Sequence, residues 1–187
     1  MKDKVRVLFD EAALAARTHV IAREIAATPL ENLLVIAVLR GSFVFAADLI
    51  RALHHAGMSP HIEFIQLSSY KTGTVSSGRV DIVRDIDSDV AGRDVILIDD
   101  ILESGRTLAF ARNLLLERGA KSVRACVLLD KKNKRAVDFE ADYVGFDCPD
   151  LFVVGYGMDA AHSFRELPFV GVVEHSSSKP SDDPGRI

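Results

Sequence analysis

The stretch Val95-Ile96-Leu97-Ile98-Asp99-Asp100-Ile101-Leu102-Glu103-Ser104-Gly105-Arg106-Thr107 decides how the chain reads. Four apolar residues predict a buried strand, and three carboxylates and a glycine-containing turn then lead into a helix N-terminus. In open α/β sheets, ligands bind where strands end in this way. The backbone N–H groups of residues 103–107, the hydroxyls of Ser104 and Thr107, and the positive end of the helix dipole form a seat for a phosphate monoester. Three acids beside a phosphate would repel it, unless they accept hydrogen bonds from neutral sugar hydroxyls or face a hydrated cation. A ribose phosphate satisfies both conditions. The plainer alternative is that the acids cap the helix and solvate a loop. The apolar run, the acid pair and the Ser-Gly-x-Thr turn in one place weigh against it.

Outward from this turn, the pattern alternates strand and helix. Leu14, Ile21 and Ile25 recur at helical spacing over residues 10–27, and Pro29 closes that helix. Residues 33–39 predict a strand, Arg40-Gly41-Ser42 a turn, and residues 43–56 a helix ended by Gly57. Residues 62–67 predict a strand, and residues 68–78, with six Ser or Thr and two Gly around Tyr70 and Lys71, a mobile loop. A return strand follows at 79–84. Beyond the buried strand at 95–98 come a helix at 107–118, a buried strand at 123–129 and short apolar segments at 143–146, 152–156 and 169–173. This is an α/β class chain with a mainly parallel sheet flanked by helices. Residues 1–175 read as a single domain, and the Ser-, Asp- and Pro-rich tail 176–187 as disordered.

Composition sets the outer limits. A chain of 187 residues, 48% hydrophobic and 27% charged, is an ordinary globular sequence. Such a chain buries roughly 70% of its unfolded surface. The net charge of −4 speaks against a nucleic-acid or anionic membrane partner. Cys126 and Cys148 match neither a disulfide framework nor a zinc spacing. With no signal-like start and no apolar run of about 18 residues, the expected address is cytoplasmic. Neither a Walker A pattern nor a GxGxxG fingerprint occurs.

The acid pair with its Ser-Gly-x-Thr turn resembles the type I phosphoribosyltransferases, in their hypoxanthine-guanine branch. Leu39-Arg40-Gly41-Ser42, Leu67-Ser68-Ser69-Tyr70, Leu128-Leu129-Asp130-Lys131, Asp142-Tyr143-Val144-Gly145-Phe146, Pro149 to Gly157, and Asp159 with Arg165 are similar to that branch in the same order, over roughly residues 35–173. The resemblance implies a twisted sheet with a small base-binding hood, and transfer of a ribose phosphate from PRPP to a 6-oxopurine with Mg2+. It implies that Asp99 and Asp100 take the ribose hydroxyls near the metal, and that Ser104, Gly105, Arg106 and Thr107 hold the 5′-phosphate. Arg40 and Gly41 fall at the pyrophosphate loop, where the family has a cis peptide, here Leu39-Arg40. Ser69 and Tyr70 would close over the pyrophosphate, Asp159 would bind magnesium, and Arg165 would hold the leaving group.

At the base, Lys131 carries donors only, which suits the O6 carbonyl of hypoxanthine or guanine and not the amino group of adenine. Its neighbours Lys132, Lys134 and Arg135 also allow the reading of a solvated basic run. Phe152 would stack on the purine and the main chain of Val153 meet its 2-position edge. The family's general base is an Asp, and this chain has Glu103, whose carboxylate reaches about 1.5 Å further. Ala160-Ala161 stands where the family often has Tyr-Asn. The resemblance also implies a homodimer or homotetramer. Two alternatives stay open: a non-catalytic relative that senses PRPP or nucleotide, and a transferase for another base, such as xanthine or a pyrimidine.

Overall fold

In the computed structural model, residues 4–72 and 75–174 are described, with side chains described outside residues 69–79. The elements run β1 (Lys4–Phe9), α1 (Glu11–Ala26), β2 (Leu34–Leu39), α2 (Phe43–His55), β3 (His61–Thr72), β4 (Val75–Arg84), β5 (Asp94–Leu102), α3 (Arg106–Glu117), β6 (Ser122–Asp130), β7 (Tyr143–Asp147), β8 (Val153–Val154) and β9 (Val170–Glu174). A six-stranded sheet has the order β4-β3-β2-β5-β6-β7. Every neighbouring pair in it is parallel except the antiparallel β3–β4 edge. A second, three-stranded antiparallel sheet, β1-β9-β8, forms the smaller hood.

The central strands are covered on both faces, as their unbroken apolar runs require. Successive side chains point to opposite faces, so Val35, Ala37, Ile96 and Ile98 pack with Leu14, Ile21, Phe45 and Leu49 of α1 and α2. Leu34, Ile36, Val95 and Leu97 pack with Leu108, Ala111 and Leu115 of α3 on the other side. Asp10 starts α1 by accepting a hydrogen bond from the Ala13 amide at 2.8 Å. Among the described residues, no helix is long and apolar enough to cross a membrane.

Three expectations need correction. The loop expected over residues 68–78 is instead the far part of a hairpin, because β3 runs on to Thr72 and β4 begins at Val75, paired Ser68↔Asp81 and Thr72↔Val75. Ser and Thr density reads as loop, yet an antiparallel ladder uses main-chain groups, and Tyr, Thr and Val suit a strand. Residues 73–74 and the expected tail at 176–187 lie outside the described residues. The strand expected at 152–156 shrinks to Val153–Val154, since Gly155, Tyr156 and Gly157 take φ values of 93°, 50° and 101° and turn the chain out of the ladder. Finally, β1 is a strand that the reading of the first ten residues does not include.

Candidate active site

The site lies at the carboxyl ends of β2, β5 and β6. β5 carries Asp99 and Asp100 out of the core with their side chains in contact and their backbone still in the ladder, as Asp99 pairs with Val127. Asp99 accepts a hydrogen bond from the Asp100 amide at 2.9 Å, and Asp100 from the Ile101 amide at 2.8 Å. Burial pushes the Asp99 carboxyl well above the usual carboxylate range, and the neighbouring charge of Asp100 adds to the rise. Burial raises Asp100 too, against local hydrogen bonds and the charge of Arg165.

After Leu102 comes the turn expected to seat an anion. Gly105, at φ 79°, is the N-cap of α3 and offers no side-chain hydrogen bond, and no acid stands in the helix's first turn. Glycine suits this position, since φ 79° strains any residue with a side chain and an added Cβ would lie a tight 3.1 Å from both Phe139 and Val137. The turn is tied from below: the Ser104 carbonyl accepts from the Ala136 and Val137 amides at 3.0 and 3.3 Å, and the Ser104 hydroxyl accepts from the Arg106 amide at 3.4 Å. Arg106 and Thr107 open the helix.

Three further segments converge on this strand end. The peptide Leu39-Arg40 is cis, and the turn it begins lays Gly41 against Asp100: a Cβ on Gly41 would meet the Asp100 carboxylate at 1.7 Å. A Cβ on Gly157 would in turn meet the Gly41 carbonyl at 2.3 Å, so the turn after β8 packs backbone to backbone against the Arg40-Gly41 turn. Arg165 donates to the Gly157 carbonyl at 2.5 Å and pairs with Asp159 at 2.6 Å. Asp159 also accepts from the His162 amide at 2.8 Å. In this arrangement Arg165 and Asp159 are held by each other.

Lys131 follows directly on β6 with only 5% of its surface exposed, so it is not a solvated lysine of a basic run. Its ammonium pairs with the Glu103 carboxylate, which is half exposed. Lys132 and Lys134 do face solvent, and they pair with Asp147 and Asp150 at 2.8 and 2.9 Å, drawing the loop after β7 alongside Lys131. That loop leads to Phe152, 65% exposed and therefore no core residue, and to Val153, buried on β8. Ser69 and Tyr70 stand in the β3–β4 hairpin, their side chains outside the described residues. Sequence reasoning missed Arg135, which reads as part of a basic run but grips the main chain beneath the Glu103 turn. The only signal for it is its place four residues after Lys131.

Among the described residues, no cluster of three or more His, Cys, Asp and Glu could hold a metal. Magnesium asks for less, one or two carboxylates with the rest of its shell from substrate and water. A buried carboxylate, Asp99, side by side with a half-buried one, Asp100, is a donor set that a hard divalent cation fits.

Comparison with known proteins follows the same lines. The family described as "Phosphoribosyl transferase domain" matches residues 7–161. The hypoxanthine-guanine phosphoribosyltransferase of Aquifex aeolicus is 43% identical over 173 residues, covering 91% of this chain and 96% of that protein. A crystal structure of a hypoxanthine-guanine phosphoribosyltransferase from Bacillus anthracis, with a HEPES molecule in its active site, superposes with a TM-score of 0.85 at 42% identity over 92% of this chain and 100% of that one. The Trypanosoma cruzi hypoxanthine phosphoribosyl transferase, studied for the role of its C-terminal region in oligomeric state and activity, gives 0.86 at 36% identity over 93% of each chain. The chain therefore belongs to the phosphoribosyltransferase family, and within it to the hypoxanthine-guanine phosphoribosyltransferases.

Proposed function

We propose that the protein joins hypoxanthine or guanine to PRPP, releasing pyrophosphate and forming IMP or GMP in purine salvage. The observation that carries this reading is the meeting, at the ends of β5 and β6, of a helix start with no side-chain cap, the Asp99–Asp100 pair and the Glu103–Lys131 pair. In it, residues Ser104, Gly105, Arg106 and Thr107 bind the 5′-phosphate with N–H donors and the α3 dipole. Asp99 and Asp100 accept hydrogen bonds from the ribose hydroxyls. The Arg40-Gly41 turn and Arg165 hold the pyrophosphate, and Ser69 and Tyr70 cover it. Lys131 donates to O6, Phe152 stacks on the ring and Val153 meets the 2-position edge. Glu103 removes the purine proton as the ring nitrogen attacks C1 of the ribose. The positive character that develops at C1 is shielded from water in a closed site.

Magnesium would be held by Asp99, Asp100 and Asp159, and when bound it supplies positive charge for the departing pyrophosphate. Arg165 complements that charge from the protein side. A cytoplasmic setting and a homodimeric or homotetrameric assembly complete the proposal, on the family resemblance. Nucleotide formation from a purine panel with PRPP and magnesium tests the reading. Hypoxanthine and guanine should react at least about tenfold better than adenine, because a donor-only site leaves the adenine amino group unpaired. Equal turnover of adenine would overturn it, and PRPP binding with no turnover of any purine would favour a sensor. Preferential turnover of xanthine or a pyrimidine would favour a transferase for another base.

A further inference from the structure

We infer that Arg135 is a positioning residue of this site: it ties the turn that carries Glu103 to the strand end that carries Lys131. Its guanidinium donates to the Leu102 carbonyl at 2.9 Å and the Glu103 carbonyl at 2.8 Å through Nη1, and to the Phe139 carbonyl at 2.9 Å through Nε. Nη1 also reaches the Lys131 carbonyl at 3.4 Å, and Nη2 pairs with the buried Asp130 carboxylate. The side-chain stem lies under the anion seat, where a Cβ on Gly105 would meet Arg135 Cδ at 3.7 Å. One side chain thus holds the backbone on both sides of the purine contacts and abuts the phosphate turn.

Chemistry explains the residue type. Four carbonyls and a carboxylate around one centre call for several N–H donors in a fixed plane, which guanidinium has and an ammonium lacks. A surface arginine would spend its donors on water, whereas this one is largely enclosed, with 19% of its side chain exposed. The effect of losing it follows from geometry: β5 and β6 fix Leu102 and Asp130 as ladder partners, and past the ladder this guanidinium joins the two turns together with the Lys131 amide bond to the Leu102 carbonyl, the Ala136 and Val137 amide bonds to the Ser104 carbonyl and the Lys131–Glu103 pair, but it alone among these holds the Glu103 carbonyl. A displacement of about 1 Å in a positioned site costs on the order of a hundredfold in rate.

The inference rests on the purine reading for its kinetic consequence, so the test has two parts. In Arg135→Lys, at a temperature where circular dichroism and thermal unfolding show a folded protein, kcat for hypoxanthine should fall about tenfold to a hundredfold. PRPP affinity should change less than about threefold, and the hypoxanthine-to-adenine ratio should narrow. Millimolar guanidinium added to Arg135→Ala should restore part of kcat. In a Glu103→Gln background, Arg135→Lys should add little further loss, since the group it positions no longer acts. The second part needs no turnover. The Lys131 side-chain resonance of the unliganded protein, followed by NMR with labelled lysine, should lose its response to Glu103→Gln once Arg135 is lysine. A folded Arg135→Lys protein with unchanged kcat, purine ratio and Lys131 resonance would overturn the inference. Unmodified protein that forms no nucleotide would overturn the purine reading alone, and the resonance would then decide the role of Arg135.

Discussion

At Lys131 a buried ammonium meets a carboxylate that is half in water, and that asymmetry sets what each substitution does. Lys131→Gln supplies both a donor and an acceptor, so the preference for hypoxanthine over adenine should narrow in steady-state assays; an unchanged ratio would remove Lys131 from base selection. Glu103→Gln keeps size and polarity but cannot take a proton. Single-turnover rates should fall about 10²- to 10⁴-fold while PRPP affinity changes far less. Asp99 carries the pH prediction. Its folded-state carboxyl titrates above its unfolded value of 3.8, so the folded state loses stability as pH rises from that value through the raised one, and the full cost stands above it. Asp99→Asn keeps the acceptor for the Asp100 amide and removes the charge. It should raise Tm at pH 7, about 2–4 °C per kcal/mol, and the gain should vanish below pH 3.8. Equal shifts at both pH values would contradict the buried-charge explanation. The acid pair and Gly105 were legible in the sequence because strand, turn and helix signals bracket them. Arg135 was not, because its partners are main-chain carbonyls, which have no letters of their own.

Among the elements, β2, β5, α3 and β6 follow from apolar runs and turn residues to within a residue or two at most ends. In the hood, the strand expected at 169–173 is β9, while β8 is shorter than expected and β1 went unread. β1 alternates Val5, Val7 and Phe9 with Lys4, Arg6 and Leu8, but its partner β9 lies at the far end of the described chain, and no local signal joins them. β9 is the middle strand of that sheet, between β1 and the β8 strand that carries Val153. Removing residues 1–9 should therefore raise the KM for purine more than that for PRPP and lower Tm by several degrees. Equal changes in both KM values would show that β1 serves the whole molecule and not its base-binding face.

For the molecule as a whole, the core on the α1–α2 face of the large sheet takes in both of its thiols. Cys126 lies fully enclosed and Cys148 nearly so, and burial raises both thiols above their usual range. Labelling with a thiol-reactive disulfide should be slow in the native protein and should follow global unfolding in denaturant; fast labelling of Cys126 under native conditions would mean that the α1–α2 side opens locally. The ladder Lys4↔Glu174 adds a matter of timing. On the ribosome, β1 emerges before the other described elements yet has no partner until β9 has been made, whereas α1, α2 and the parallel strands can pack as they appear. Synthesis thus completes the β5–α3 turn early and the hood last. A nascent chain stalled before residue 170 holds every residue proposed to meet PRPP and lacks the strand beside Val153, so under the proposed function the sugar-phosphate contacts would be made before the purine contacts.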